Sequence, residues 1–168
     1  MELTKFKQLC NAYSTAQSDF ETFRDESHAF AVEMVTSLKS YLEVPEGQFS
    51  LYSIGQNNDF TLVHPEVINA ISLLPDSTWQ LGVGLTVCKE PETLPQELIL
   101  IHIIIRRDIA GEFYLKYAST DEEHKVEKSE SWDFIPFFEF LHNAIISVYA
   151  DQLTQFIGGD STRRKIGY

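Results

Sequence analysis

The residue best suited to acid–base chemistry is His102. It lies inside the aliphatic run Leu98–Ile105, with Arg106 two positions beyond Ile104 on the same face of an extended chain. A buried imidazole near a guanidinium would titrate away from its ordinary range and could pass protons. No nucleophile or metal ligand stands at a recognisable spacing from it, so the plainer expectation is a histidine hydrogen-bonded to a neighbouring strand or helix. His28, His64, His102, His124 and His142 are scattered without a His-x-x-x-His pair, and the only cysteines, Cys10 and Cys88, are 78 positions apart. Neither set has the spacing of a metal site or a redox pair, and no cofactor is expected. Cys10 on a helical stripe and Cys88 at a strand end are expected to be packed, reduced thiols.

Gly82 and Gly84 share a strand face. Glycine weakens a strand interior unless something packs close to the backbone. That neighbour is either a ligand or an aromatic ring, from Phe137, Phe138 or Tyr149; with aromatics at 12% of the chain, a ring is the simpler expectation. The segment Gly82-Val83-Gly84 lacks the following helix that a phosphate cradle needs. The candidate binding set is therefore Gly82, Gly84, His102 and Arg106, in a pocket between the sheet and the C-terminal helix. A second candidate is the tail from Gly158 to Tyr168. There Arg163, Arg164 and Lys165 stand against Asp160, a side-chain charge of +2 on a chain whose total is −12, which leaves −14 for residues 1–157. The tail is expected to be flexible and free to engage a partner.

So negative a chain is poorly suited to nucleic acid, because affinity for phosphates is built from Lys and Arg. The carboxylates are interleaved with apolar and basic residues, the pattern of solvated faces rather than of a continuous DNA-like surface. The N-terminus carries no apolar core of signal-peptide length. The longest apolar run, Leu98–Ile105, is interrupted by His102 and is far too short for a bilayer. A cytoplasmic protein with no membrane contact is expected.

The elements that must position these residues follow from spacing. The chain has 168 residues, 43% of them hydrophobic, enough for a single α+β domain over residues 1–157 without metals or disulfides. Residues 1–43 contain no Gly or Pro, and Leu3, Phe6, Leu9, Cys10, Tyr13, Phe20, Phe23, Phe30, Met34 and Leu38 recur three and four apart, a helical stripe that Val44-Pro45-Glu46-Gly47 ends. One helix over Glu2–Glu43 would run ~63 Å at 1.5 Å per residue. A body of this size is only ~40 Å across. The helix must break or project. Ser14–Ser18 offers a break, with Ser18 and Glu21 at capping-box spacing, and four of the five residues Arg24–His28 are ionisable. Two helices, or one with a bend, are expected; a projecting helix would need a partner to cover its stripe.

Residues 48–118 read as strands with a short helix near 65–74. Gln48–Ile54 and Phe60–Val63 form a hairpin about Gly55–Asp59. Trp79–Cys88, Glu97–Arg107 and Glu112–Ala118 then form an antiparallel meander. Leu98–Ile105 is apolar on both faces, which predicts cover on both sides. The polar connector Ser119–Ser131 has room for one short edge strand, and residues 132–157 form an amphipathic helix capped by Ser131 or Asp133 and stopped by Gly158-Gly159. The fold expected is α+β: a predominantly antiparallel sheet of about five strands, with a long N-terminal helical segment and a C-terminal helix packed on it.

Element order and acidic charge are similar to those of small acidic dimeric chaperones of bacterial secretion systems, a likeness of shape and charge carried by no motif. The function expected is a non-catalytic protein-interaction module (adaptor, chaperone-like or inhibitor) acting through an acidic, aromatic-rich surface. A homodimer through the N-terminal helix is expected, with contacts at Phe6, Tyr13, Phe20 or Phe23. The alternative is a small-ligand-binding domain or enzyme with its pocket near Gly82, Gly84 and His102.

Overall fold

The computed structural model describes residues 1–63, 66–90 and 94–158. Its first element, α1 (Lys5–Tyr41), is one unbroken helix of 37 residues. Thr4 caps it, its hydroxyl accepting from the Lys7 amide at 3.2 Å. At the other end Glu43 takes φ 50°, Glu43 N–H bonds the Ser40 carbonyl and Val44 N–H bonds the Lys39 carbonyl, a Schellman closure with Glu where Gly is usual.

The expected break into two helices is absent. Ser18, the expected restart cap, lies inside the helix and its carbonyl accepts from Thr22 Oγ1 at 3.0 Å; Ser27 Oγ likewise donates to the Phe23 carbonyl at 2.7 Å. Across the supposed break, Gln17 Nε2 donates to the Tyr13 hydroxyl at 2.8 Å. In the charged stretch Arg24 pairs with Asp25, and Glu26 pairs with Arg107. At 1.5 Å per residue the helix is ~55 Å long. It therefore projects: every residue from Met1 to Thr22 is exposed, Phe23 is the first to be half-buried, and Ser27, Phe30, Ala31, Met34, Val35 and Leu38 are buried.

After α1 come β1 (Phe49–Ile54), β2 (Phe60–Leu62), α2 (Val67–Ala70), β3 (Ser72–Leu73), β4 (Trp79–Cys88), β5 (Gln96–Arg107), β6 (Phe113–Tyr117), β7 (Glu123–Lys128), β8 (Trp132–Asp133) and α3 (Ile135–Ile157). The sheet order is β2-β1-β4-β5-β6-β7-β8, with β3 also paired to β4 and every described pairing antiparallel. The class is α+β as expected, but the sheet has eight strands rather than about five. The excess comes from β3 and β8, two residues each, and from β7 in the polar connector, where one short strand had room. The helix expected near 65–74 is a single turn. Ile71 is already extended (φ −77°, ψ 135°), and Ser72 and Leu73 pair with Gln80 and Trp79. His64 and Pro65 fall outside the described residues.

Helices cover one face of this sheet. The second half of α1 and the first turns of α3 bury Leu81, Val83, Ile101, Ile103, Ile105 and Leu115 completely, and Phe30 stacks on Phe113 with ring centroids 4.0 Å apart. The last helix starts later than expected: Trp132 and Asp133 form β8, Phe134 is the N-cap without a side-chain bond, Asp133 Oδ1 accepts from the Ile135 amide at 3.2 Å, and Pro136 sits in the first turn of α3. The alternate residues of β5, Leu98, Leu100, His102 and Ile104, are only half-buried. The expectation that both faces of β5 are covered is thus corrected. Both helices lie on the same side, and among the described residues the opposite face is shielded by its own long side chains.

Candidate functional site

The open face holds the sequence-predicted set. In register, Gly82 lies opposite His102 and Tyr52, while Gly84 lies opposite Leu100 and Ser50. Rings do cover the glycines, but not the expected ones. A Cβ on Gly82 would stand 2.9 Å from both the Phe60 ring and Tyr52 Cβ, and one on Gly84 would meet the Tyr52 ring at 2.5 Å and Ser50 Oγ at 2.7 Å. Phe137 and Phe138 belong to α3, on the other side of the sheet. Gly82, Gly84 and His102 therefore do not lie in a pocket between sheet and C-terminal helix.

His102 is anchored by a neighbouring strand. Its Nε2 lies 3.0 Å from Gln80 Oε1, while Gln80 Nε2 donates to the Ile54 carbonyl at 3.2 Å. With the amide so placed, Oε1 accepts and the imidazole carries its proton on Nε2. The Phe60 ring stands edge-on to it at 6.2 Å. Burial holds the imidazole below the usual histidine range, so it is neutral at neutral pH. Arg106 is engaged elsewhere. Its Nε and Nη2 donate to Glu123 Oε2 and Oε1 at 3.0 and 2.6 Å, and its guanidinium lies over the Tyr114 ring at 4.0 Å. Four residues along one strand separate the two side chains by ~13 Å. The guanidinium expected to perturb the imidazole is thus not beside it, and burial is what lowers His102.

A pH dependence follows from His102. Its folded-state pKa is depressed from 6.5, so the unfolded chain takes the extra proton first. Stability is complete above about 6.5 and falls as the pH drops below it. His28, also lowered by burial, acts with the same sign. Urea midpoints measured from about pH 7.5 down to about 5.5 should fall less in His102→Asn than in the wild type; parallel curves would contradict this.

A second apolar hollow lies elsewhere and was not read from the sequence. It occupies about 490 Å³ where the ends of α1 and β4 meet α3, walled by Leu38, Leu42, Leu85, Ile99, Leu141 and Ile145, with Gln48, His142 and Cys88 as polar members. Its only early signal was the apolar face of residues 132–157. Among the described residues, no group of three His, Cys, Asp or Glu side chains is arranged to hold a metal, and no helix is long and apolar enough to cross a membrane.

The other candidate surface is the projecting half of α1. Phe6 is 74% exposed, Leu9 68%, Tyr13 66% and Phe20 55%. Cys10 is exposed beside them, which corrects its expected burial: the stripe that was to pack it has no part of the described chain beneath it. Cys88 is half-buried, with Gln48 Nε2 at 3.8 Å from its sulfur. Arg163, Arg164 and Lys165 lie outside the described residues. Comparison with protein-family models, with curated proteins and with solved structures gives no match to this chain.

Proposed function

We propose that the protein is a non-catalytic interaction module, of the adaptor, chaperone-like or inhibitor kind, that binds another polypeptide along the projecting half of α1. The observation that carries this reading is the row of exposed Phe6, Leu9, Tyr13 and Phe20 on a helix whose next turns bury the same row in the core. Large apolar side chains in one contiguous line on a solvated surface mark an interaction site. The groups best equipped for catalysis support the same reading, because His102 and Arg106 already have partners, Gln80 and Glu123.

A second reading, a small-ligand-binding domain, draws on the 490 Å³ hollow near α3, whose size and apolar walls suit an apolar small molecule. The two separate in one experiment. The tagged protein and its Phe6→Glu/Tyr13→Glu/Phe20→Glu variant are used to capture partners from the source cell, with quantitative mass spectrometry of what co-elutes. The variant touches no buried residue, so its fold should persist, and the proteins held by the wild type should be lost. An identical set on both baits would overturn the proposal.

A further inference from the structure

We infer that the occupant of the α1 stripe is a second copy of this chain, laid antiparallel along it about a two-fold axis between Tyr13 and Ala16. This rests on reading α1 as an interaction surface and adds the partner and its direction.

Spacing comes first. Phe6, Leu9, Tyr13, Ala16, Phe20, Phe23, Ser27, Phe30 and Met34 step along α1 by alternating threes and fours. That is the 3.5-residue repeat of a coiled-coil seam rather than the broader face of a helix lying on a sheet. Ser27, Phe30 and Met34 spend it on the chain's own sheet, and the turns before Phe23 present it to solvent. With the axis between Tyr13 and Ala16, Phe6 meets the partner's Phe23, Leu9 meets the partner's Phe20 and Tyr13 meets the partner's Ala16.

Charge sets the direction. The first turns of α1 carry Lys5 and Lys7, whereas residues 19–26 carry Asp19, Glu21, Asp25 and Glu26 against Arg24. Parallel copies would set lysine against lysine and carboxylate against carboxylate. With this axis residues 5–7 lie beside the partner's residues 22–24; Lys5 faces the partner's Arg24, and the attraction is that of the stretch 19–26 as a whole, four carboxylates against one guanidinium, met twice by symmetry. Among the described residues Lys5, Lys7, Asp19 and Glu21 make no ion pair within the chain, so they are available for it. Area agrees. With aromatic side chains covering ~150–250 Å² each, the exposed parts of Leu3, Phe6, Leu9, Tyr13 and Phe20 amount to roughly 600 Å² per chain. Two copies would bury about 1,200 Å², the lower bound of a stable specific interface.

Sedimentation of the purified full chain at tens of micromolar should give twice the 19.3 kDa chain mass. Lys5→Glu/Lys7→Glu, exposed and remote from the core, should weaken the dimer about tenfold or more. Adding Asp19→Lys/Glu21→Lys should restore it. Mixed with wild type, this fourfold variant should keep to its own kind, since an antiparallel mixed pair sets like charges together, whereas a parallel one would match opposite charges and mix freely. A monomeric wild type would overturn the inference while leaving the interaction reading to the capture experiment. A dimer indifferent to the double variant, or one that mixes freely with the fourfold variant, would overturn it as well.

Discussion

Phe30→Ala is expected to cost about 3–5 kcal/mol of stability, whereas Phe6→Ala, on the same stripe of the same helix, should change it by less than ~0.5 kcal/mol. Phe30 is 2% exposed, stacks on Phe113 at 4.0 Å and stands edge-on to Trp132 at 5.1 Å and Phe134 at 5.3 Å. Truncating it leaves a void under two layers of rings that cannot collapse without moving β6 and the start of α3. For a domain of this size the loss amounts to a fall in melting temperature of ~10 °C or more. Phe6 has nothing of the described chain beneath it, so the unfolded and folded states solvate it alike. Dilute samples in a calorimeter check both. A loss at Phe6 as large as that at Phe30, under conditions where the protein is monomeric, would mean that the start of α1 folds back onto its own domain.

Gly82→Ala should destabilise by roughly 1–3 kcal/mol even though alanine ordinarily suits a strand better than glycine. The added methyl would lie 2.9 Å from Tyr52 Cβ and from the Phe60 ring. The ring can swing aside, but Tyr52 Cβ is tied to the backbone of β1, opposite Gly82 in the ladder. Relief therefore requires β1 and β4 to separate locally. Urea unfolding at neutral pH should show a lower midpoint with an unchanged slope; an unchanged midpoint would mean that the aromatic cover is looser than the contacts describe.

The periodic elements were legible because periodicity reports which face is buried. The alternation in Trp79–Cys88 and the apolar stripe of residues 132–157 led to the observed strand and to the last helix, though not to its first residue. What failed did so for identifiable reasons. Ser14, Thr15 and Ser18 look like helix-breaking residues when a cap is sought. Yet α1 runs through all three without Gly or Pro to stop it, and the hydroxyls that follow, at Thr22 and Ser27, bond the carbonyl four residues back within the helix. The double-sided apolar character of β5 predicts cover on both faces, and only the register with Tyr52 and Phe60 reveals that long side chains shield the second face. Spacing along a strand placed His102 and Arg106 on one face, but it gave no access to Gln80 and Glu123, 22 and 17 residues away in sequence, which occupy them. The apolar hollow near α3 was illegible because its walls come from four separate segments.

The claim that the projecting half of α1 is the working surface is tested most directly by hydrogen exchange on the assembly recovered from the source cell, compared with the same chain diluted to the monomer. A lone helical projection of some twenty residues is marginal in water and exchanges quickly. Amides between Phe6 and Phe20 should therefore slow markedly in the assembly, while those of β4 and β5 change little. Unchanged exchange over Phe6–Phe20, with new protection at Leu98, Leu100 and Ile104 on the open sheet face, would place the interface elsewhere and contradict the claim.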